Sequence, residues 1–203
     1  MRCVIGIDEV GRGSLAGPVV VAAAMVTCPP RVFSSASVRR ALGILKDSKK
    51  LSAAQRERWY GYFAAHPSVS FAVARVYPRQ IEKRNISGAA NLAAARAYKK
   101  LLARNGGASA IPYAVFLDGG LFLGSKAKQG NAKTVIKGDE KIPAVAIASI
   151  IAKVNRDRFM VKLAKQYPAY GFEVHKGYGT KKHREALRAI GLSSAHRRTF
   201  FSS

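Results

Sequence analysis

The sequence predicts one α/β domain with a mixed sheet and a helical C-terminal part, and three observations predict it. Short β-branched runs are bounded by Gly-rich or polar turns, longer Ala-rich stretches carry apolar residues at helical spacing, and no repeat or linker divides the 203 residues. A chain of this length with 48% apolar residues buries a core as a single domain, expected over residues 1–203 with its helical C-terminal part from about residue 160.

Residues 3–7 and PVVVAAAMV at 18–26 read as strands on either side of the Gly-rich DEVGRGSLAG, a geometry that makes them neighbours. Residues 29–51, with Pro-Pro, Ser clusters and the basic KDSKK, read as a mobile connection containing a short helix, and so as a candidate lid. Ser52 is the expected N-cap of a helix through Ala65 that carries Trp59 and Phe63 and stops at His66-Pro67. SFAVARVY at 70–77 alternates as a strand does. Residues 79–104 form one long or broken helix ending at Asn105-Gly106-Gly107. YAVFLD at 113–118 and AKTVIKGD at 132–139 are strands, each finishing on a carboxylate. Pro143 opens a helix to about Tyr167 with an apolar stripe of Ile147, Ile150, Ile151, Val154 and Val161, and another helix runs from about Lys181 to Ile190.

Charge narrows the function classes. Lys and Arg outnumber Asp and Glu by 35 to 11, a formal charge of +24, which points to a polyanionic partner. The basic residues are spread along the chain, which favours nucleic acid over a membrane surface, where a concentrated basic amphipathic segment is needed. Cys3 and Cys28 lack CxxC spacing and read as buried thiols of a reducing compartment. Asp8 and Glu9 interrupt the N-terminal apolar run before a signal peptide could form, and no stretch reaches the ~18 apolar residues of a membrane span, so a cytoplasmic protein is expected.

Against so few acidic residues, Asp8 with Glu9 beside it, Asp118 and Asp139 stand out, because each falls where a strand is expected to give way to a loop. Converging carboxylates repel unless a cation lies between them, and an oxygen-only set suits Mg²⁺ or Mn²⁺. Two such ions ~3.5–4 Å apart suit phosphodiester hydrolysis. Taken singly, each has a plainer reading: Asp8 or Glu9 in a turn or cap, Asp118 opening an Asp-Gly turn, Asp139 capping the next helix. Asp157 follows Lys153 by four residues and adjoins Arg156 and Arg158, so local pairing accounts for it. His175, His183 and His196 have no zinc spacing.

Seven ordered segments, IDEVGRGSLAGPVVVAA, DSKKLS, IEKRNI, FLDGG, KGDEKIPAVAIASIIAKVNRD, GFEVHKGYGTKKH and HRRTF, resemble the ribonuclease HII family. The resemblance implies the ribonuclease H-like fold, a mixed five-stranded sheet flanked by helices. It also implies cleavage of the RNA strand of RNA/DNA hybrids, incision on the 5′ side of single ribonucleotides in duplex DNA, and 3′-hydroxyl and 5′-phosphate ends. That chemistry would make the first cut in removing misinserted ribonucleotides. By the same resemblance Asp8, Glu9, Asp118 and Asp139 are the catalytic metal ligands for two Mg²⁺ or Mn²⁺ ions. The backbone of Gly11, Arg12 and Gly13 would read the ribose 2′-hydroxyl, the group that separates RNA from DNA there. Tyr178 would pack on the following deoxyribose, and Lys49 and Lys50 fall where the family contacts phosphates, although a solvated charge run explains them as well. Lys181, Lys182 and His183 suit backbone contacts or none. Arg12 and the early acidic pair fit type II better than the type III relatives.

The expected partners are the RNA/DNA hybrid and ribonucleotide-containing duplex DNA, with no membrane, a monomeric protein, and no motif that identifies a sliding-clamp contact. Two rivals are weaker. A binding module without catalysis explains the charge but not carboxylates at three expected strand ends, and a P-loop ATPase needs GxxxxGK[ST], which no window supplies.

Overall fold

In the computed structural model, residues 3–27, 29–106, 113–124 and 132–201 are described, so Cys28 lies outside them. Five strands form one sheet in the order β3-β2-β1-β4-β5. Strands β1 (Cys3–Val10), β2 (Val19–Val26) and β3 (Val69–Val76) are consecutive antiparallel neighbours, as the short, turn-bounded β-branched runs require. Strand β4 (Tyr113–Asp118) lies parallel to β1, and β5 (Ala132–Val135) lies parallel to β4, each reached through a crossover.

The connection after β2 holds a 3₁₀ turn at Pro30–Ser34, the helix α1 (Ala36–Leu42) and a second 3₁₀ turn at Ser48–Lys50. Phe33, Asp47, Ser48 and Leu51 in it are buried, which anchors both of its ends to the body of the protein. Helix α2 (Ala53–Ala65) begins at Ser52 with a complete capping box: the Ser52 hydroxyl accepts from the Gln55 amide and the Gln55 side chain accepts from the Ser52 amide. Helix α3 (Pro78–Arg104) is the broken alternative, because Asn85 takes a left-handed φ of 56° within it.

The sheet is covered on both faces. Strand alternation sends Ile5, Ile7, Val21, Ala23, Ala72 and Leu117 toward α3, where its buried alanines allow close approach. The opposite face receives α2 and the long helix α5 (Pro143–Gln166), with Trp59, Phe63, Ile147, Ile150 and Ile151 in one cluster. Gly6 sets how near α5 comes: a Cβ there would lie 2.1 Å from the Ala144 carbonyl carbon, so only glycine lets the start of α5 rest on β1. A third cluster, around Met160, Tyr170 and Phe172, joins the end of α5 to the short helix α6 (Phe172–His175) and α7 (Lys181–Ile190), giving the helical C-terminal part.

Two expectations need correction. Strand β1 runs on to Val10, so Asp8 and Glu9 are strand residues opposite Ala22 and Val21 of β2 rather than the start of the loop expected after residue 7. The strand expected over 132–139 ends at Val135; Lys137 turns left-handed at φ 55°, and Gly138 starts the one-turn helix α4 (Gly138–Lys141). Asp139 therefore sits on a helix rather than at a strand end, and the backbone reverses before its carboxylate is presented.

Candidate active site

Backbone register brings the first carboxylates together. Ile7 of β1 is the last residue paired with the parallel β4, opposite Leu117, so Asp8 and Asp118 follow side by side where the β1–β4 ladder ends, near the C-terminal ends of adjacent strands, the place where α/β sheets build sites. One carboxylate oxygen each from Asp8, Glu9 and Asp118 lies within 4.8 Å of the others. Asp8 is 5% exposed, and its Oδ1 accepts the Glu9 amide at 2.7 Å. The close seat of α5 against Gly6 also brings the Ser149 hydroxyl to Asp8 and, at 2.8 Å, to Ser48. Asp118 is fixed by the Gly138 amide, which donates to its Oδ1 at 2.7 Å, so β4 and α4 meet at that carboxylate.

The electrostatics of this group are unfavourable without a cation. Burial, and then the charge of Glu9, push the Asp8 carboxyl well above the ordinary aspartate range, while hydrogen bonds from Ser149 and the Glu9 amide pull the other way. Burial raises Glu9 as well, against the opposing charge of Arg12, whose Nη1 lies 3.2 Å from Glu9 Oε1. Glu9 Oε2 is buried and has no hydrogen-bond partner. An orphaned carboxylate oxygen beside two more carboxylates is a donor set for a hard divalent ion, and the residues fit such an ion.

Asp139 stands outside the 4.8 Å triplet, though near enough for burial and the charges of Asp118 and Asp47 to raise its pKa against Lys49. Asp47 is a neighbour that sequence reading missed. It is buried and caps the 48–50 turn by accepting the Lys49 amide at 2.9 Å. The Asp-Ser pair inside KDSKK carried that cap signal behind the lysines. Lys49 and Lys50 part company here. Burial works to lower the Lys49 pKa, but Asp47, Asp139, Asp8 and Asp118 outweigh it, so Lys49 belongs to the carboxylate field. Lys50 pairs with Glu140 at 2.7 Å on the exposed rim.

The Gly11–Gly13 turn leads directly out of β1. Gly11 has a φ of +90°, and a Cβ on it would fall 2.2 Å from Arg156 Nε, whereas Gly13 is exposed with open space around it. Arg12 is engaged rather than merely solvated: besides Glu9 it donates to the Ser87 hydroxyl at 3.0 Å, and its carbonyl accepts from Arg197 at 2.8 Å. Tyr178 lies between α6 and α7, half-buried, with the Arg156 guanidinium 5.3 Å and the Lys153 ammonium 5.8 Å from its ring centre. The Leu15 amide donates at 2.8 Å to the carbonyl of Gly177, so the Tyr178 segment abuts the glycine loop. Lys181 and Lys182 lie on the exposed first turn of α7, Lys181 reaching Glu185 at 4.0 Å.

Asp157 pairs with Lys153 at 2.8 Å and with Arg56 at 3.6 Å, the local role its spacing indicated. The three histidines form a buried chain. His183 Nδ1 lies 2.9 Å from the Tyr178 carbonyl and donates to it, which leaves His183 Nε2 to accept from His196 Nε2 at 3.0 Å. His196 Nδ1 accepts the Ser193 amide at 3.0 Å, and His175 stacks on His183 with ring centres 4.3 Å apart. Burial, then the charge of His183, lower His196 to about 4, and burial lowers His183 as well, which favours the neutral form of both.

Comparison with known proteins gives matches over nearly the whole chain. A family profile described as ribonuclease HII matches residues 5–202. A ribonuclease HII of Ruegeria pomeroyi is 44% identical over 197 residues, covering 97% of this chain and 75% of the relative. One from Pelagibacter ubique is 40% identical over 200 residues, covering 98% and 96%. Among solved structures, the complex of PCNA with ribonuclease HII from Archaeoglobus fulgidus superposes with a TM-score of 0.70 at 28% identity, covering 96% of this chain and 93% of that one. Bst-RNase HIII in complex with Mn²⁺ gives 0.69 at 26%, covering 98% and 64%.

Proposed function

The chain belongs to the ribonuclease HII family and is a divalent-metal-dependent endonuclease of RNA/DNA hybrids; from that premise we propose that it also incises 5′ of single ribonucleotides in duplex DNA by two-metal-ion hydrolysis. The observation that carries the proposal is the Asp8, Glu9 and Asp118 triplet, with an orphaned Glu9 oxygen, close in sequence to a glycine turn that is exposed at Gly13.

In this reading Asp8, Glu9 and Asp118 hold the metal, with Asp139 completing the set from α4. When bound, Mg²⁺ or Mn²⁺ supplies a nucleophilic water and stabilises the leaving 3′ oxygen, giving 3′-hydroxyl and 5′-phosphate ends. The protein's own groups do the rest. Ser149 and the Gly138 amide fix the orientation of Asp8 and Asp118. Burial raises the pKa of Asp8 and Glu9, and a divalent ion needs both carboxylates charged, so its binding is expected to strengthen as pH rises. Lys49, inside the carboxylate field but exposed, is placed to meet a phosphate, with Lys50 further out.

Selection rests on the Gly11, Arg12 and Gly13 backbone against the 2′-hydroxyl and on the Tyr178 ring against the next, deoxy, sugar. The net charge of +24 supplies affinity for both the hybrid and the ribonucleotide-containing duplex. In this reading residues 1–203 act as one catalytic domain and as a cytoplasmic monomer. Among the described residues no helix is long and apolar enough to cross a membrane.

The test is direct. A DNA duplex with one ribonucleotide, incubated with the protein and Mg²⁺, is expected to be cut 5′ of that ribonucleotide, the ends being identified by their susceptibility to ligase and phosphatase. Intact duplex with undiminished binding would leave only the coarser hybrid-cutting activity.

A further inference from the structure

Two guanidiniums are fully buried away from the carboxylates. Arg156, on α5, donates from Nε to the Pro18 carbonyl at 3.1 Å, from Nη1 to that of Lys176 at 2.8 Å, and from Nη2 to the Ser14 hydroxyl at 2.7 Å and the Ala16 carbonyl at 3.1 Å. Arg197, near the C-terminus, donates from Nε to Gly17 at 3.0 Å and from Nη1 to Arg12 at 2.8 Å, both carbonyls, while Nη2 is buried without a partner. Among the described residues neither arginine forms an ion pair with a carboxylate. A buried cation without a counter-charge is costly, and an apolar side chain of similar volume would fill the space with less penalty. What an apolar side chain cannot do is hold carbonyls from several loops at fixed positions.

The acceptors are distributed with a pattern. Arg156 and Arg197 between them take Arg12, Ser14, Ala16, Gly17 and Pro18, so the glycine loop is fixed along its length. The same Arg156 guanidinium holds Lys176, two residues before Tyr178, and lies 5.3 Å from the Tyr178 ring centre. Gly11 lacks a Cβ where one would fall on Arg156 Nε, so the start of the loop is seated on that side chain. The carboxylates, by contrast, are positioned by β1, β4 and α4, and among the described residues none of them forms an ion pair with either arginine.

We propose that Arg156, assisted by Arg197, is a specificity-positioning residue that sets the spacing between the 2′-hydroxyl-reading loop and the Tyr178 ring, and thereby selects the RNA-to-DNA junction. The inference rests on the roles given above to residues 11–13 and Tyr178. Loss of the clamp lets the two sugar readers drift relative to each other while the cutting group stays in place. Recognition of the junction then suffers more than hydrolysis, because a misplacement of ~1 Å removes the benefit of an oriented contact.

The experiment compares kcat/KM on a duplex with one embedded ribonucleotide and on an all-RNA hybrid strand, for the native protein, Arg156→Met, Arg156→Lys, Arg197→Met and Tyr178→Ala. Arg156→Met is expected to lower the ratio of the two about tenfold, as far as Tyr178→Ala does, with Arg156→Lys recovering part of it and the double Arg156→Met/Tyr178→Ala adding little more. A purely structural role would reduce the active fraction and lower both rates together, so an unchanged ratio overturns the proposal. Where Arg156→Met does not fold, Arg197→Met carries the same decision, with an expected several-fold fall in the ratio. Failure of the native protein to cut the single-ribonucleotide duplex would withdraw the parent reading of the loop and Tyr178. A native protein that discriminates, beside variants that discriminate equally, removes the clamp alone.

Discussion

The carboxylate end of the sheet and the loops proposed to face the sugars lie side by side, but they are held by different means. Asp8 and Asp118 owe their juxtaposition to strand register, which every backbone hydrogen bond between β1 and β4 enforces. The glycine loop and the Tyr178 segment are held by side chains that arrive from far along the chain: Arg156, Arg197 and the chain from His196 through His183 to the Tyr178 carbonyl. The first region is therefore expected to keep its form when a functional side chain is lost. The second depends for its form on the side chains themselves. On the proposed roles, cutting and choosing are built on separable supports.

The sharpest way to break that contrast is Asp8→Asn. Hydrolysis of a hybrid is expected to fall by more than about a hundredfold, beyond the loss typical of removing a group that only supports a metal ligand. Because burial and Glu9 already disfavour the Asp8 charge, thermal stability is expected to hold or rise. Near-normal cleavage would remove Asp8 from the metal site, and a collapse in melting temperature would deny that register alone places it.

Gly6→Ala strikes the register support itself. The added methyl meets the Ala144 backbone, so α5 must shift; a loss of about 3 kcal/mol by urea unfolding is expected, with impaired cleavage as Ser149 moves from Asp8. Unchanged stability would mean that the contact between β1 and α5 is not tight.

A smaller effect probes the second region. The folded protein resists protonating His196 until about pH 4, whereas the unfolded chain takes up that proton near pH 6.5. The contribution of this residue is therefore complete above about pH 6.5 and is lost as pH falls toward 4, by on the order of 2 kcal/mol. Asp8, Glu9 and Asp139, with raised values, titrate in the opposite sense, so the comparison is between the native protein and His196→Gln. Parallel stability profiles for the two would dissolve the histidine chain as a support of Tyr178.

The same contrast governs what could be read from the sequence. The neighbouring strands, the Ser52 cap and the helix from Pro143 were legible because their signals are local: β-branched runs, a hydroxyl before a helix, a proline at its start. Asp8, Glu9 and Asp118 stood out by position and converge in space. Asp139 was assigned to the wrong element, because the adjacent apolar Val135 and Ile136 carry the strand signal past the point where β5 ends, while nothing in the sequence marks Lys137 for a left-handed turn. Asp47 was hidden among lysines. Arg156 was visible only as a neighbour of Asp157, since pairing four residues apart can be read along a helix and four acceptors spread over residues 14–18 and 176 cannot. Side-chain supports that span the chain escape periodicity, and the second region consists largely of them.

The central claim, that Asp8, Glu9 and Asp118 form a divalent-metal site at the ends of β1 and β4, is tested most directly by anomalous diffraction from crystals of the native protein soaked in Mn²⁺. The account predicts a peak within coordination distance of all three carboxylates that is absent in Asp8→Asn; a peak elsewhere, or one that persists in that variant, would contradict it.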